Sequence, residues 1–453
     1  MSDTTSLKPA ENEGAKLGVR RLALVVAGLA YLAVLWRVFV TLLVPWFAYE
    51  RAQISDLSLP LTCFNYAIAA LPLLWMPTRL TRPSQIIYFC LWLLVYAPTQ
   101  VFIHHYLDQR EPGEIVLFQF ALAGAFLITG LCYWSRRLPI PIPRIKSLAY
   151  WSVIAVVGFA MLAHVAIGLG LELRALSLFD VYDVREEFSQ DVTRFVAYSF
   201  GWLANVIVPL VFAYGLVRRS VPIALLAVAI QLLLYMQSGS KSFLFGLGFL
   251  AVSLLAMQGR AKLFGAKFVA ITTGGVALGA LIDTLMGSFL VTAFGARRAI
   301  YVPGQLTSYY YDFFVDRTPA MLGDSTLRSV VDYPYDLPVP FLIAREYFGR
   351  PTMMANANAY ADGFAHFGYV GLFLAAFALM VVLWVYDSVS RGKDLRITSL
   401  VAVIPAVSLC NSSVQTSLVT HGIAFAILAL WLFPREAKTR TAVPIAIAEP
   451  RLT

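Results

Sequence analysis

Long apolar blocks separated by short polar segments set the rhythm of this chain. They fall near 22–47, 57–76, 85–103, 114–134, 147–170, 196–217, 221–237, 242–258, 267–290, 364–387, 397–413 and 417–434. Each is apolar through most of a helix long enough to cross a bilayer's hydrocarbon core, so the pattern predicts about twelve transmembrane helices. The chain is therefore expected to be an all-α polytopic membrane protein. It divides into a cytoplasmic tail over 1–21, one transmembrane domain over 22–434 and a second cytoplasmic tail over 435–453. The first block is too long for a signal peptide and no small-residue cleavage pattern follows it, so it reads as a retained helix.

Composition agrees: 59% of the 453 residues are hydrophobic and 13% charged, which excludes a soluble protein. Cys63, Cys90, Cys132 and Cys410 lie inside the blocks without metal-like spacing, which argues against a disulfide framework or a zinc site. The net charge of +9 would suit nucleic acid, but its distribution gives it another meaning. Lys16, Arg20, Arg21, Arg79, Arg82, Arg136, Arg137, Arg144, Lys146, Arg218, Arg219, Arg260, Lys262, Arg391, Lys393, Arg396 and Arg435 fall on alternate segments. The other segments carry Glu50, Asp56, Asp108, Glu111, Glu114 and the acids of 172–191 and 312–362. The positive-inside rule places both termini in the cytoplasm and the acidic segments outside. The basic surplus then faces anionic lipid, and no nucleic-acid partner is needed.

Only two outer segments are large, the third (about 171–195) and the fifth (about 291–363). Any chemistry is expected there, on a substrate that arrives within the membrane. At the end of the fifth, Asn358, Asp362 and His366 recur at i, i+4, i+8, on one face if the next helix starts early. That stripe is either chemistry or a solvated helix entrance capped by Asn and Asp. Cations on the side where they are disfavoured also call for a reason. Arg185 has acids beside it to pair with, whereas Arg297 and Arg298 have none nearby in sequence before Asp312. Arginine forks bind phosphate bidentately, which makes the latter two candidates for an anionic leaving group. Ser-Gly-Ser-Lys241-Ser lacks Walker A spacing; it offers an amide nest with a point charge, or a tight turn with a snorkelling lysine. Tyr301, Tyr309 and Tyr310 form either an interfacial belt or a sugar-stacking surface. Arg37, Asp283 and His421 fall within spans: Arg37 and His421 read as buried structural partners, Asp283 as a counter-ion or half of a proton path.

Arg297-Arg298-x-x-Tyr301-x-Pro303-Gly304, Tyr309-Tyr310-Tyr311-Asp312-Phe313-Phe314 and Asn358-x-x-x-Asp362-Gly363-x-x-His366-x-Gly368-Tyr369-x-Gly371 resemble the Wzy-type O-antigen and capsular polysaccharide polymerases. Asp180-Val-Tyr182-Asp-Val-Arg185 and Gly239-Ser-Lys241 are similar too, as is the plan with enlarged third and fifth outer loops. Paired Arg-x10-Gly motifs found in some members are lacking; Arg350 to Gly363 is two residues too long. The resemblance implies a metal-independent glycosyltransferase of GT-C-like architecture, with no cofactor, in the bacterial inner membrane. It would join undecaprenyl-pyrophosphate-linked oligosaccharide repeat units at the periplasmic face, in lipopolysaccharide or capsule synthesis. Asp362, His366 and Arg298 would be catalytic. Arg185, Lys241, Arg297, Arg350, Tyr301, Tyr309, Tyr310 and Asn358 would bind substrate. A chain-length-determining co-polymerase and a flippase of the same pathway are the implied partners. An O-antigen ligase shares the donor and topology, and a lipid-linked oligosaccharide flippase is the rival from another class. A flippase predicts charges along the spans and inverted repeats.

Overall fold

A computed structural model describes residues 8–169, 193–238, 241–259, 261–325 and 327–435. The described residues are helical and contain no strand. Among them, nine helices are long and apolar enough to cross a membrane. Three shorter apolar helical stretches, Leu59–Leu74, Gly246–Met257 and Leu395–Leu409, fall in the three remaining expected blocks. The protein is thus a multi-pass membrane protein by the length and composition of its helices. The four cysteines are free.

The pillar of the bundle is Gln85–Tyr106, largely apolar and wholly buried. Such a helix has no lipid-facing stripe and must sit at the centre. Its aromatic residues fix their neighbours by hydrogen bonds to backbone: Trp92 Nε1 donates to Ala69 O (3.1 Å), and Tyr96 OH donates to Ile68 O (2.8 Å). The π-turn at Trp92–Tyr96 ends two residues before Pro98, which has no N–H to keep the regular ladder.

Charge separates between the two ends. At one, Arg82 donates to the carbonyls of Cys132 and Ser135 (both 2.8 Å), and Arg137 to Thr81 O (3.0 Å). Lys393 Nζ there donates to Val389 O (2.8 Å), Trp431 O (3.1 Å) and Leu430 O. Cations at helix C-termini satisfy the last carbonyls and suit the helix dipole. At the other end, Arg110 fans out to Asp312 (2.7 Å), Asp316 (2.9 Å) and Glu114 (3.0 Å).

The largest departure from expectation is the segment 291–363. Instead of an open polar loop, it contains a π-turn Ala293–Tyr301, a helix Val302–Phe314 and a second helix Val339–Phe348. Val302–Phe314 is buried on nearly all sides. Its small polar residues hide their hydroxyls locally: Thr307 Oγ1 donates to Pro303 O (2.7 Å) and Ser308 Oγ to Gly304 O (3.0 Å). Gly304 admits the pillar, since a Cβ there would lie 3.0 Å from both Pro98 Cβ and Thr99 N. Polarity hid this helix from a hydropathy reading because its polar groups are satisfied inside the protein rather than by water.

Two other expectations change. Arg37 is exposed, so it is not the buried partner expected. Asp283 pairs with no arginine among the described residues; it accepts from Ser288 Oγ (2.6 Å), Val291 N (3.1 Å) and Thr292 N (2.6 Å), closing the turn after its helix.

Candidate functional site

The end of the fifth outer segment builds an elbow. Ala359–Val389 is broken at Phe367 and at Gly368, whose φ of +59° suits glycine. The short arm before the break folds back on the long arm. Gly363 and Gly371 meet backbone to backbone, and a Cβ on either would collide with the other's carbonyl. Asn358 caps the short arm: its Oδ1 accepts from Tyr360 N (3.0 Å) and Ala361 N (3.3 Å), while its Nδ2 donates to Thr307 Oγ1 (2.6 Å). Fully buried and bonded through both ends of its amide, Asn358 serves the cap that the spacing had left open as an alternative.

Asp362 and His366 sit one turn apart on that arm, with Asp362 Oδ1 3.6 Å from His366 Nε2. His366 is buried, whereas about a third of the Asp362 side chain is open (31%). The imidazole is held from behind, because Leu322 N donates to its Nδ1 (3.1 Å). With Nδ1 accepting, the neutral ring carries its proton on Nε2, facing the carboxylate. The turn that supplies this donor is strained: Met321 and Leu322 both take positive φ (45° and 58°) without being glycine. Two further bonds pin it to the arm, Ala320 N to Ala365 O (2.9 Å) and Met321 N to His366 O (3.1 Å). Strain that is over-determined in this way collects at functional sites.

The same turn brings in Asp324, which sequence reasoning missed. Its Oδ2 accepts from Val339 N (3.1 Å), while Oδ1 is buried with no hydrogen-bond partner among the described residues. A buried, unpartnered carboxylate oxygen is costly and calls for a reason. Tyr310 lies within electrostatic reach of both acids. Burial first, then the Asp362 carboxylate, raise its phenol well above the usual range, with Asp324 adding to the effect. The phenol therefore stays protonated and donates to Ala355 O (2.9 Å).

The remaining tyrosines point inward as well. Tyr301 OH donates to Leu35 O (2.7 Å) and Tyr309 OH to Glu50 O (2.6 Å). Tyr309 stacks on Tyr347 at 4.2 Å, and Tyr347 OH donates to Asp312 Oδ2 (2.6 Å). Tyr301, Tyr309 and Tyr310 are each buried, so they build a wall of the protein and present no open stacking face.

Arg297 has an acidic neighbour after all. Its Nη2 is bonded to both carboxylate oxygens of Glu50, and its guanidinium lies 4.3 Å over the Phe47 ring. Glu50 is 247 positions away in the chain, so local sequence could not announce it. Arg298 and Arg350 are exposed, and Arg317 pairs with Glu346 (3.6 Å). Arg185 and the nest residues Gly239 and Ser240 lie outside the described residues. Lys241 opens the helix Lys241–Met257, described through its backbone. The arrangement thus joins Asp362, His366, Asp324 and Tyr310 in one site and gives Arg297 a separate ion pair.

The Arg297–Glu50 pair is mostly buried, so removing one partner strands the other's charge. Arg297→Gln is expected to destabilise by roughly 3–5 kcal/mol. Adding Glu50→Gln should restore most of the melting temperature in detergent, and failure of that rescue would show that the pair is not the main role of Arg297.

Compared with family models, with curated proteins and with solved structures, the chain matches none of them.

Proposed function

We propose that this protein is a polysaccharide polymerase: a GT-C-like glycosyltransferase with twelve spans, both termini cytoplasmic and its acidic end in the periplasm. The observation that carries this reading is the Asp362–His366 pair, a half-open carboxylate beside a buried, oriented imidazole. Asp362 accepts the proton of the acceptor sugar's hydroxyl. That oxygen bonds to the anomeric carbon of the growing chain as the bond to undecaprenyl pyrophosphate breaks, and the lipid pyrophosphate leaves. His366 is a positioning residue, since its Nδ1 is already occupied and its Nε2–H faces Asp362. Exposed Arg298 and Arg350, with Lys241 and Arg185, answer the charge of the leaving pyrophosphate. Charges gathered at the helix ends rather than along the spans favour a transferase over a flippase.

Deleting the gene in its host and resolving the surface polysaccharide on a gel tests the reading. Loss of the long-chain ladder, with single repeat units still attached to the lipid core, is the expected result. Loss of every capped form, with lipid-linked polymer accumulating, would make the protein a ligase.

A further inference from the structure

Away from Asp362, a cavity of about 410 Å³ opens where the first outer segment crosses the ends of three helices. Trp36, Asp56, Thr62, Asn65, Tyr66 and His105 carry its chemistry. No expectation from the sequence touched these residues apart from the sidedness of Asp56.

The lining is built rather than incidental. Ser55 N donates to His105 Nδ1 (3.1 Å), so the neutral ring keeps its proton on Nε2 as a free donor. His105 is buried, and its ring lies tilted against Trp36 with the centroids 5.2 Å apart. Asn65, also buried, accepts at Oδ1 from Gln119 Nε2 (3.0 Å), while its own amide N–H group has no partner among the described residues. Behind these, His104 and Gln100 bond Gln119 in turn, which fixes the orientation of Asn65. The cavity therefore offers two oriented donors, one carboxylate acceptor and two aromatic rings, with no lysine or arginine in its lining. A single carboxylate without cations repels phosphate. Rings for the C–H face of a sugar, with an acid and an amide for its hydroxyls, fit a neutral pyranose. The volume lies within the roughly 300–1,000 Å³ of small-molecule sites.

The geometry points to this cavity as a binding subsite for a neutral sugar ring, separate from Asp362. The inference rests on the glycosyltransferase reading for the source of that sugar: a repeat unit of the glycan or, alternatively, a glycolipid headgroup. A glycan held here is anchored away from its reacting end, which would let a polymerase keep hold of its chain between additions.

The test is calorimetry on the full chain in nanodiscs, titrated with the host's repeat-unit oligosaccharide released by mild acid, and separately with inorganic pyrophosphate. Asp56 is exposed and Tyr66 is half-buried, so Asp56→Ala and Tyr66→Leu spare the buried network. Each is expected to weaken oligosaccharide binding at least tenfold while leaving the melting temperature and pyrophosphate binding unchanged. In nanodiscs carrying monoglucosyldiacylglycerol, competition that Asp56→Ala abolishes would identify the headgroup as a source of the same sugar chemistry. Wild-type oligosaccharide affinity in both variants, or no binding by the wild-type protein, overturns the proposal. Measuring the same binding in Asp362→Asn keeps the two ideas apart. Binding that survives in a protein without polymerase activity supports the subsite whatever becomes of the catalytic assignment.

Discussion

Asp362→Asn is expected to lower polymer formation by at least about 100-fold, the contribution of a positioned general base. The protein should stay in the membrane at its wild-type level. The substitution keeps the size of the side chain, and Asn358, rather than Asp362, caps the arm. His366→Ala should give a smaller loss. It removes the Nε2–H that faces Asp362 and releases the strained turn at Met321 and Leu322, whose N–H it accepts. A positioning role predicts more than a lower rate: His366→Gln, whose amide N–H can still face Asp362, should recover part of what His366→Ala loses. In vitro extension of the lipid-linked repeat unit by these variants reads both effects. If Asp362→Asn retains the full ladder of chain lengths, the carboxylate is serving the first turn of a helix, where acids are favoured electrostatically, and nothing more.

Sequence reached the Asp362–His366 pair because i, i+4 spacing survives in any helix, and this one starts at Ala359, early enough to include both. It reached the membrane class for a similar reason, since apolar length needs no tertiary information. What it missed depends on distant contacts. Glu50 and Arg297 meet only because Phe47 and the π-turn at Ala293–Tyr301 pack together. Asp324 acquires meaning only through the turn pinned on His366, and Arg110 through three acids that the fold assembles around it. The tyrosines were the most deceptive. Their number suggested an exposed surface, but phenols can be buried wherever a carbonyl waits, as Leu35, Glu50 and Ala355 do. The sugar-binding chemistry inferred here lies instead among residues of ordinary spacing, Trp36, Asn65 and His105, drawn from three separate helices.

Gly371→Ala should be the most damaging change to the fold itself. The short arm of the elbow reaches the long arm only because two glycines face each other, and a methyl on Gly371 would enter the carbonyl of Gly363. The obstructing atom is backbone, so no rotamer can relieve it. Gly363→Ala fares little better, since its Cβ would also meet Ala375 Cβ at 2.8 Å. Overpacking a rigid contact costs about 1–3 kcal/mol or more, and here the displaced element carries Asp362 and His366. The expected outcome is loss of activity together with a lower melting temperature in detergent. Asp362→Asn, by contrast, should lose activity alone. Gly274→Ala is the matched control: it lies within the helix Phe264–Met286 with nothing within 4 Å of its Cβ position, where alanine improves helix propensity. If Gly371→Ala melts like the wild type and Gly274→Ala does not, the arms do not meet through their glycines. The placement of Asp362 beside Tyr310 would then need another cause.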